Sequence, residues 1–84
     1  MDDTDPIEDL ITYLARSLVD DPDAVEVTVV DGDRAVIYEL SVAPGDLGKV
    51  IGKDGRTARA IRTLLAATSA KHRKRALLDI VDED

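Results

Sequence analysis

The apolar residues of this chain alternate between helical and strand spacing, and that alternation limits the folds open to it. Over 5–19, Ile7, Leu10, Ile11, Leu14 and Leu18 recur at the i, i+3, i+4, i+7, i+11 positions of one buried helix face. Asp5 fits the N-cap, Pro6 the first helical position and Glu8 the capping-box position. Asp20, Asp21, Pro22 and Asp23 then end the helix in a solvated turn. Residues 25–30 are β-branched and alternating, Asp31-Gly32 is a hairpin signal, and 34–42 carry Val36, Tyr38, Leu40 and Val42 on one strand face. Glu39 and Ser41 fall on the other face. Pro44-Gly45 stops the second strand, and Asp46 is placed to cap a short helix over 47–51. A longer helix over 56–71 buries Ala58, Ile61, Leu64, Leu65 and Thr68, with Ala60 and Ala67 beside them. Residues 77–81 read as a last strand, followed by an acidic tail over 82–84.

The predicted order is α-β-β-α-α-β, an α+β fold. The hairpin is antiparallel, and the last strand returns through a two-helix crossover, which joins parallel strands. A three-stranded mixed sheet with three helices on one face follows. The 84 residues make one domain, with its core over about 5–81. There is no cysteine, Phe or Trp and a single histidine, His72, so neither disulfides nor a thiolate metal site can staple the core. No cofactor is expected. No apolar run approaches the roughly 20 residues that span a bilayer, and the acidic start does not read as a signal peptide. A cytoplasmic location is expected, with no membrane partner.

Charge is strongly segregated. The whole chain carries −7. Residues 1–48 hold 13 acids and two bases, whereas 49–75 hold nine bases and one acid, Asp54. Screening acts over about 8–10 Å at ordinary salt, so the local basic segment outweighs the global sum for a ligand close by. With only Tyr13 and Tyr38 as aromatics, modules that stack bases on aromatic platforms are disfavoured.

The basic segment contains the informative motif, Val50-Ile51-Gly52-Lys53-Asp54-Gly55-Arg56-Thr57-Ala58, followed by Ile61. Two glycines bracket two polar residues between two helices. Glycines permit close approach of a ligand's backbone, and the next helix offers unpaired N–H groups and a positive dipole end. Lys53 and Arg56 add cations at the rim. The Val-Ile pair, the G-x-x-G and the element order together resemble a type II KH domain over nearly the whole chain, and in particular the small single-domain bacterial KhpA family. The resemblance implies clamping of about four nucleotides of single-stranded RNA, with the loop on the phosphate backbone and the bases on an apolar groove. It implies a loop of Gly52, Lys53, Asp54 and Gly55 flanked by Lys49, Arg56 and Arg59. It puts Val50, Ile51 and Ala58 on the groove floor and the central strand, near Ile37, on the opposite wall. The basic connector of Lys71, His72, Arg73, Lys74 and Arg75 stands where such domains have a variable loop, with Arg73 and Lys74 as phosphate contacts. The implied role is post-transcriptional regulation or RNA chaperoning, with a KhpB (Jag-like) KH protein as partner or as a homodimer.

Asp54 is the departure. Its carboxylate opposes a phosphate, and capping of the following helix is the expected reason for it. Arg56, Arg59 and Arg62 advance by three, a basic stripe suited to a phosphate track beside the loop. Other constellations fail. Gly48 to Gly52 is one residue too short for a Walker A loop, and Lys53 is followed by Asp54. Val50 stands where a Rossmann G-x-G-x-x-G needs glycine. Asp31-Gly32-Asp33 lacks the remaining ligands of a calcium loop. His72 lies among cations, and Ser17, Ser41 and Ser69 have no evident base, so no enzyme is expected. The alternative to RNA binding is an adaptor that uses the groove or a sheet edge for a protein partner.

Overall fold

A computed structural model describes residues 5–69 and 74–81. Its elements are α1 (Pro6–Leu18), β1 (Glu26–Asp31), β2 (Ala35–Ser41), α2 (Leu47–Ile51), α3 (Arg56–Ser69) and β3 (Arg75–Ile80). The sheet runs β1-β2-β3, with β1 antiparallel and β3 parallel to the central β2. This is the type II KH order and the mixed sheet read from the sequence.

Asp5 starts α1 by accepting the N–H groups of Ile7 and Glu8 on Oδ1, at 2.9 and 3.3 Å. Its other oxygen accepts the Tyr38 hydroxyl at 2.7 Å, so the cap also ties α1 to β2. Burial and then Asp5 hold the Tyr38 phenol well above its ordinary pKa of 10.0. Glu8 makes no return bond to the Asp5 N–H, so the capping box is only half formed. The α1 face that is buried is Ile7, Ile11 and Ala15. Leu18 lies outside it because the stripe rotates past the core in the last turn.

Tyr38 and Leu40 project from β2 toward the helices and meet Ile11, Val50, Ile61, Leu65 and Leu78 in one apolar cluster. All three helices therefore cover the same sheet face. On α3 the buried residues are Ala58, Ile61 and Leu65, while Leu64 is 49 % exposed. Fourteen residues at 100° per step cannot keep both adjacent leucines on one narrow stripe.

Among the described residues no helix covers the opposite face of the sheet. Alternation places Val30, Ile37 and Leu77 in one cross-strand row there, next to Glu39 and Asp79. No helix among the described residues is long and apolar enough to cross a membrane.

Candidate nucleic-acid interface

Helix α2 stops at Gly52, whose N–H still donates to the Gly48 carbonyl at 2.8 Å. Gly52 has φ 78° and ψ 171°, a region essentially reserved for glycine. A Cβ there would sit 2.2 Å from Thr57 Oγ1 and 2.8 Å from the Thr57 nitrogen. The first turn of α3 thus packs directly on the missing side chain. Asp54 follows at φ 58°, and Gly55 at φ 75°, its N–H bonded to the Gly52 carbonyl at 3.1 Å. A Cβ on Gly55 would meet nothing within 4 Å, so that glycine answers only to its dihedral angles.

Asp54 is not the cap of α3. Its carboxylate accepts no hydrogen bond among the described residues, and its backbone lies in the left-handed region that Asp and Asn enter more readily than other side chains. Its carbonyl does accept the Arg59 guanidinium at 3.3 Å, which braces the loop from the second turn of α3. Lys53 and Arg56 are exposed and form no ion pair among the described residues. The loop therefore presents two uncommitted cations beside the N-terminal N–H groups of a 14-residue helix.

Lys49 is engaged elsewhere. Its ammonium lies 3.4 Å from Asp20 Oδ2 and 3.3 Å from Asp46 Oδ1. Asp46 is 4 % exposed and accepts the Asp21 N–H at 3.0 Å. It makes no capping bond to α2, contrary to the expectation from sequence. Instead it pins the turn after α1 to the start of α2. Burial pushes the Asp46 carboxyl up, but the Asp21 and Asp20 N–H groups and Lys49 outweigh this and hold it below its ordinary value. The hydrogen bond to Asp46, and then Asp20, raise Lys49 above the usual lysine value. The acidic turn at 20–23 is accordingly not just solvated, since Asp20 and Asp21 both join this lock.

The groove floor also differs from expectation. Val50 and Ala58 are 0 % and 3 % exposed, so both are core and offer no surface, while Ile51 is half-buried. Ile37 cannot form the wall opposite α3. Both edges of β2 are paired, and Ile37 points to the helix-free face. The strand beside α3 is β3, at the edge of the sheet. A depression of about 240 Å³ runs between them, with Arg62 and Ala66 on one side and Arg75 and Leu77 on the other. Arg62 donates through Nε and Nη2 to the Leu78 carbonyl, both at 3.4 Å, so the third arginine of the stripe spans from α3 to β3. The stripe was visible in the sequence, but its anchoring to an unpaired strand carbonyl was not. Lys74 pairs with Asp31 at 2.6 Å. Arg73, with Lys71 and His72, lies outside the described residues. No cluster of three or more His, Cys, Asp or Glu suited to a metal forms among the described residues.

A G-x-x-G turn joining two helices over an α-β-β-α-α-β sheet defines a KH domain of type II. The comparisons narrow this further. The family model for the KhpA/KhpB KH domain matches residues 8–80. The RNA-binding protein KhpA of Caldanaerobacter subterraneus is 52 % identical over 73 residues, covering 87 % of this chain and 97 % of that protein. The RNA-binding protein KhpA of Clostridium acetobutylicum is 49 % identical over 75 residues, covering 89 % of this chain and 100 % of that protein. That of Chlamydia trachomatis is 43 % identical over 77 residues, covering 92 % and 99 %. No solved structure matches the chain. The chain belongs to the KhpA/KhpB KH-domain family.

Proposed function

We propose that this chain is a non-enzymatic RNA-binding protein of the cytoplasm. It holds about four nucleotides of single-stranded RNA, with the phosphate backbone on the Gly52, Lys53, Asp54 and Gly55 loop. The observation that carries this reading is the pair of exposed cations at the start of α3, Lys53 and Arg56, which form no ion pair among the described residues. The names of its relatives as RNA-binding proteins support it. Arg59 braces the loop, and the bases lie along the groove between α3 and β3, where Ala66 and Leu77 offer apolar surface without aromatic stacking. The carboxylate of Asp54 tempers the attraction, so a single domain binds at about micromolar affinity or weaker, with a marked salt dependence.

Weak single sites gain from being linked. Pairing with a second KH protein of the KhpB (Jag-like) kind, or with a second copy, raises the effective concentration of the second site. Such an assembly acts on transcripts as a post-transcriptional regulator or RNA chaperone. An adaptor role for proteins is the second reading, favoured by the row of exposed Val30, half-buried Ile37 and exposed Leu77 on the helix-free sheet face.

The two readings separate by fluorescence anisotropy of a labelled single-stranded RNA at low salt. Wild type binds and a folded Lys53→Asp variant loses at least about tenfold in affinity, because a phosphate contact is replaced by a repulsion. Equal binding by both proteins moves the site off the loop. Absence of binding by wild type, alone and with a KH partner, favours the adaptor.

A further inference from the structure

We propose that a second pocket, separate from the 52–55 loop, takes one nucleotide with its base inside and its phosphate at the mouth. The pocket has a volume of about 260 Å³ and lies where the start of α1, the last turns of α3 and the first residues of β2 and β3 meet. That is just under the roughly 300–1,000 Å³ of drug-sized sites, a size for one flat ring system. Its walls include Ile7, Tyr38, Val36 and Ala76, of which Ile7 and Tyr38 are buried and form the floor. Thr68 closes one side.

The polar groups are arranged by sign. Arg75 is exposed at the rim and has no ion-pair partner among the described residues. Lys74 also lines the pocket, and its pair with Asp31 is solvent-exposed on both sides, so the ammonium can exchange that carboxylate for a phosphate. Asp5 contributes acceptors instead. Its Oδ1 is used by the Ile7 and Glu8 N–H groups, but among the described residues Oδ2 takes only the Tyr38 hydroxyl and keeps a lone pair. The Tyr38 hydroxyl, whose hydrogen points to Asp5, keeps lone pairs on its oxygen and is likewise an acceptor. Two adjacent acceptors with two cations at the rim suit a base that offers N–H donors and carries a phosphate. They do not suit a plain apolar side chain, which would leave Arg75 without a counter-charge and both acceptors without a donor.

Thr68 lies twelve residues beyond Arg56, about 18 Å along α3. No single nucleotide touches both the loop and the pocket. The nucleotide comes either from the same strand, beyond the stretch held at the loop, or from a free mononucleotide. The strand source rests on the RNA-binding reading above, whereas the pocket's chemistry does not.

The test is amide chemical-shift mapping of the whole chain with adenosine monophosphate, a four-nucleotide RNA and an eight-nucleotide RNA. The octamer is expected to move the Val36 and Ala76 amides as well as those of 52–56, and the tetramer only the latter. Thr68→Phe, which fills the pocket, and Arg75→Glu, at an exposed position, should each abolish the pocket response. Each should also cut octamer affinity by about tenfold, toward that of the tetramer. Pocket shifts with adenosine monophosphate equal to those with the octamer support the site and assign its source to free nucleotide. Pocket shifts without loop shifts support the site and remove the loop reading. An octamer response confined to 52–56, or two folded variants that bind the octamer like wild type, overturns the proposal.

Discussion

The two ends of α2 carry similar residues and use them in opposite ways. At its N-terminal end, Asp20, Asp46 and Lys49 neutralise one another, and Asp46 also satisfies the Asp21 N–H. At its C-terminal end, Lys53 and Arg56 have no partner among the described residues, and the backbone turns through Gly52, Asp54 and Gly55 at positive φ. A charge answered inside the chain holds the fold together. A charge left unanswered beside an obligatory glycine is available to a ligand. The difference shows why net charge misleads here: the protein carries −7, but the Asp20 and Asp46 carboxylates near α2 are already spent on the lock.

The largest effect should come from the glycine that seats the loop. Gly52→Ala introduces a Cβ into Thr57 and a glycine-only backbone region, and is expected to cost about 3 kcal/mol in urea denaturation. Gly55→Ala meets only dihedral strain and should cost about 1 kcal/mol. Equal costs would show that the close approach of Thr57 does not hold in solution.

At the unpaired end, an Arg56→Glu variant should bind single-stranded RNA at least about tenfold more weakly, while its melting temperature stays within about 2 °C of wild type. Binding lost in step with stability would mean that Arg56 belongs to the architecture after all.

Tyr38→Phe removes the bond from β2 to the α1 cap and should cost about 1 kcal/mol near neutral pH. The Tyr38 pKa is raised in the folded state, so its stabilisation is complete below the ordinary value of 10.0. Above that pH the unfolded chain ionises first and stability falls. Urea midpoints collected from pH 8 to 11 should slope downward for wild type and more shallowly for the phenylalanine variant.

The smallest effect is expected at the paired end. The Asp46 carboxyl is depressed in the folded protein, so its contribution is present above the ordinary aspartate value of 3.8 and is lost as pH falls through the folded value. Asp46→Asn should flatten the acid limb of the stability profile, read by circular dichroism between pH 5 and 2, and leave RNA affinity unchanged.

Much of the fold was legible because period and punctuation agree. The switch from 3.6 to 2 marks α1 and the hairpin, and α2 has the extent that the Pro44-Gly45 and Gly52 breaks imply. The G-x-x-G was legible because its glycines are fixed by local geometry. What was not legible depends on tertiary placement. Whether Leu64 or Leu65 is buried depends on the rotation of α3 against β3. Asp46 reads as a cap from its neighbours alone, yet a partner 25 residues away takes its carboxylate. The sequence points to β2 beside α3 because strand order across the sheet, and so which strand lies beside α3, does not appear in the chain's own sequence of elements.

The central claim is that position relative to the loop, rather than positive charge as such, decides which lysine of α2 and its loop meets RNA. Lys53→Gln and Lys49→Gln remove the same charge four residues apart, and anisotropy of one labelled single-stranded RNA measures both against wild type. Lys53→Gln is expected to lose about fivefold or more in affinity, with a change below about twofold for a folded Lys49→Gln. Equal losses from the two variants would contradict it.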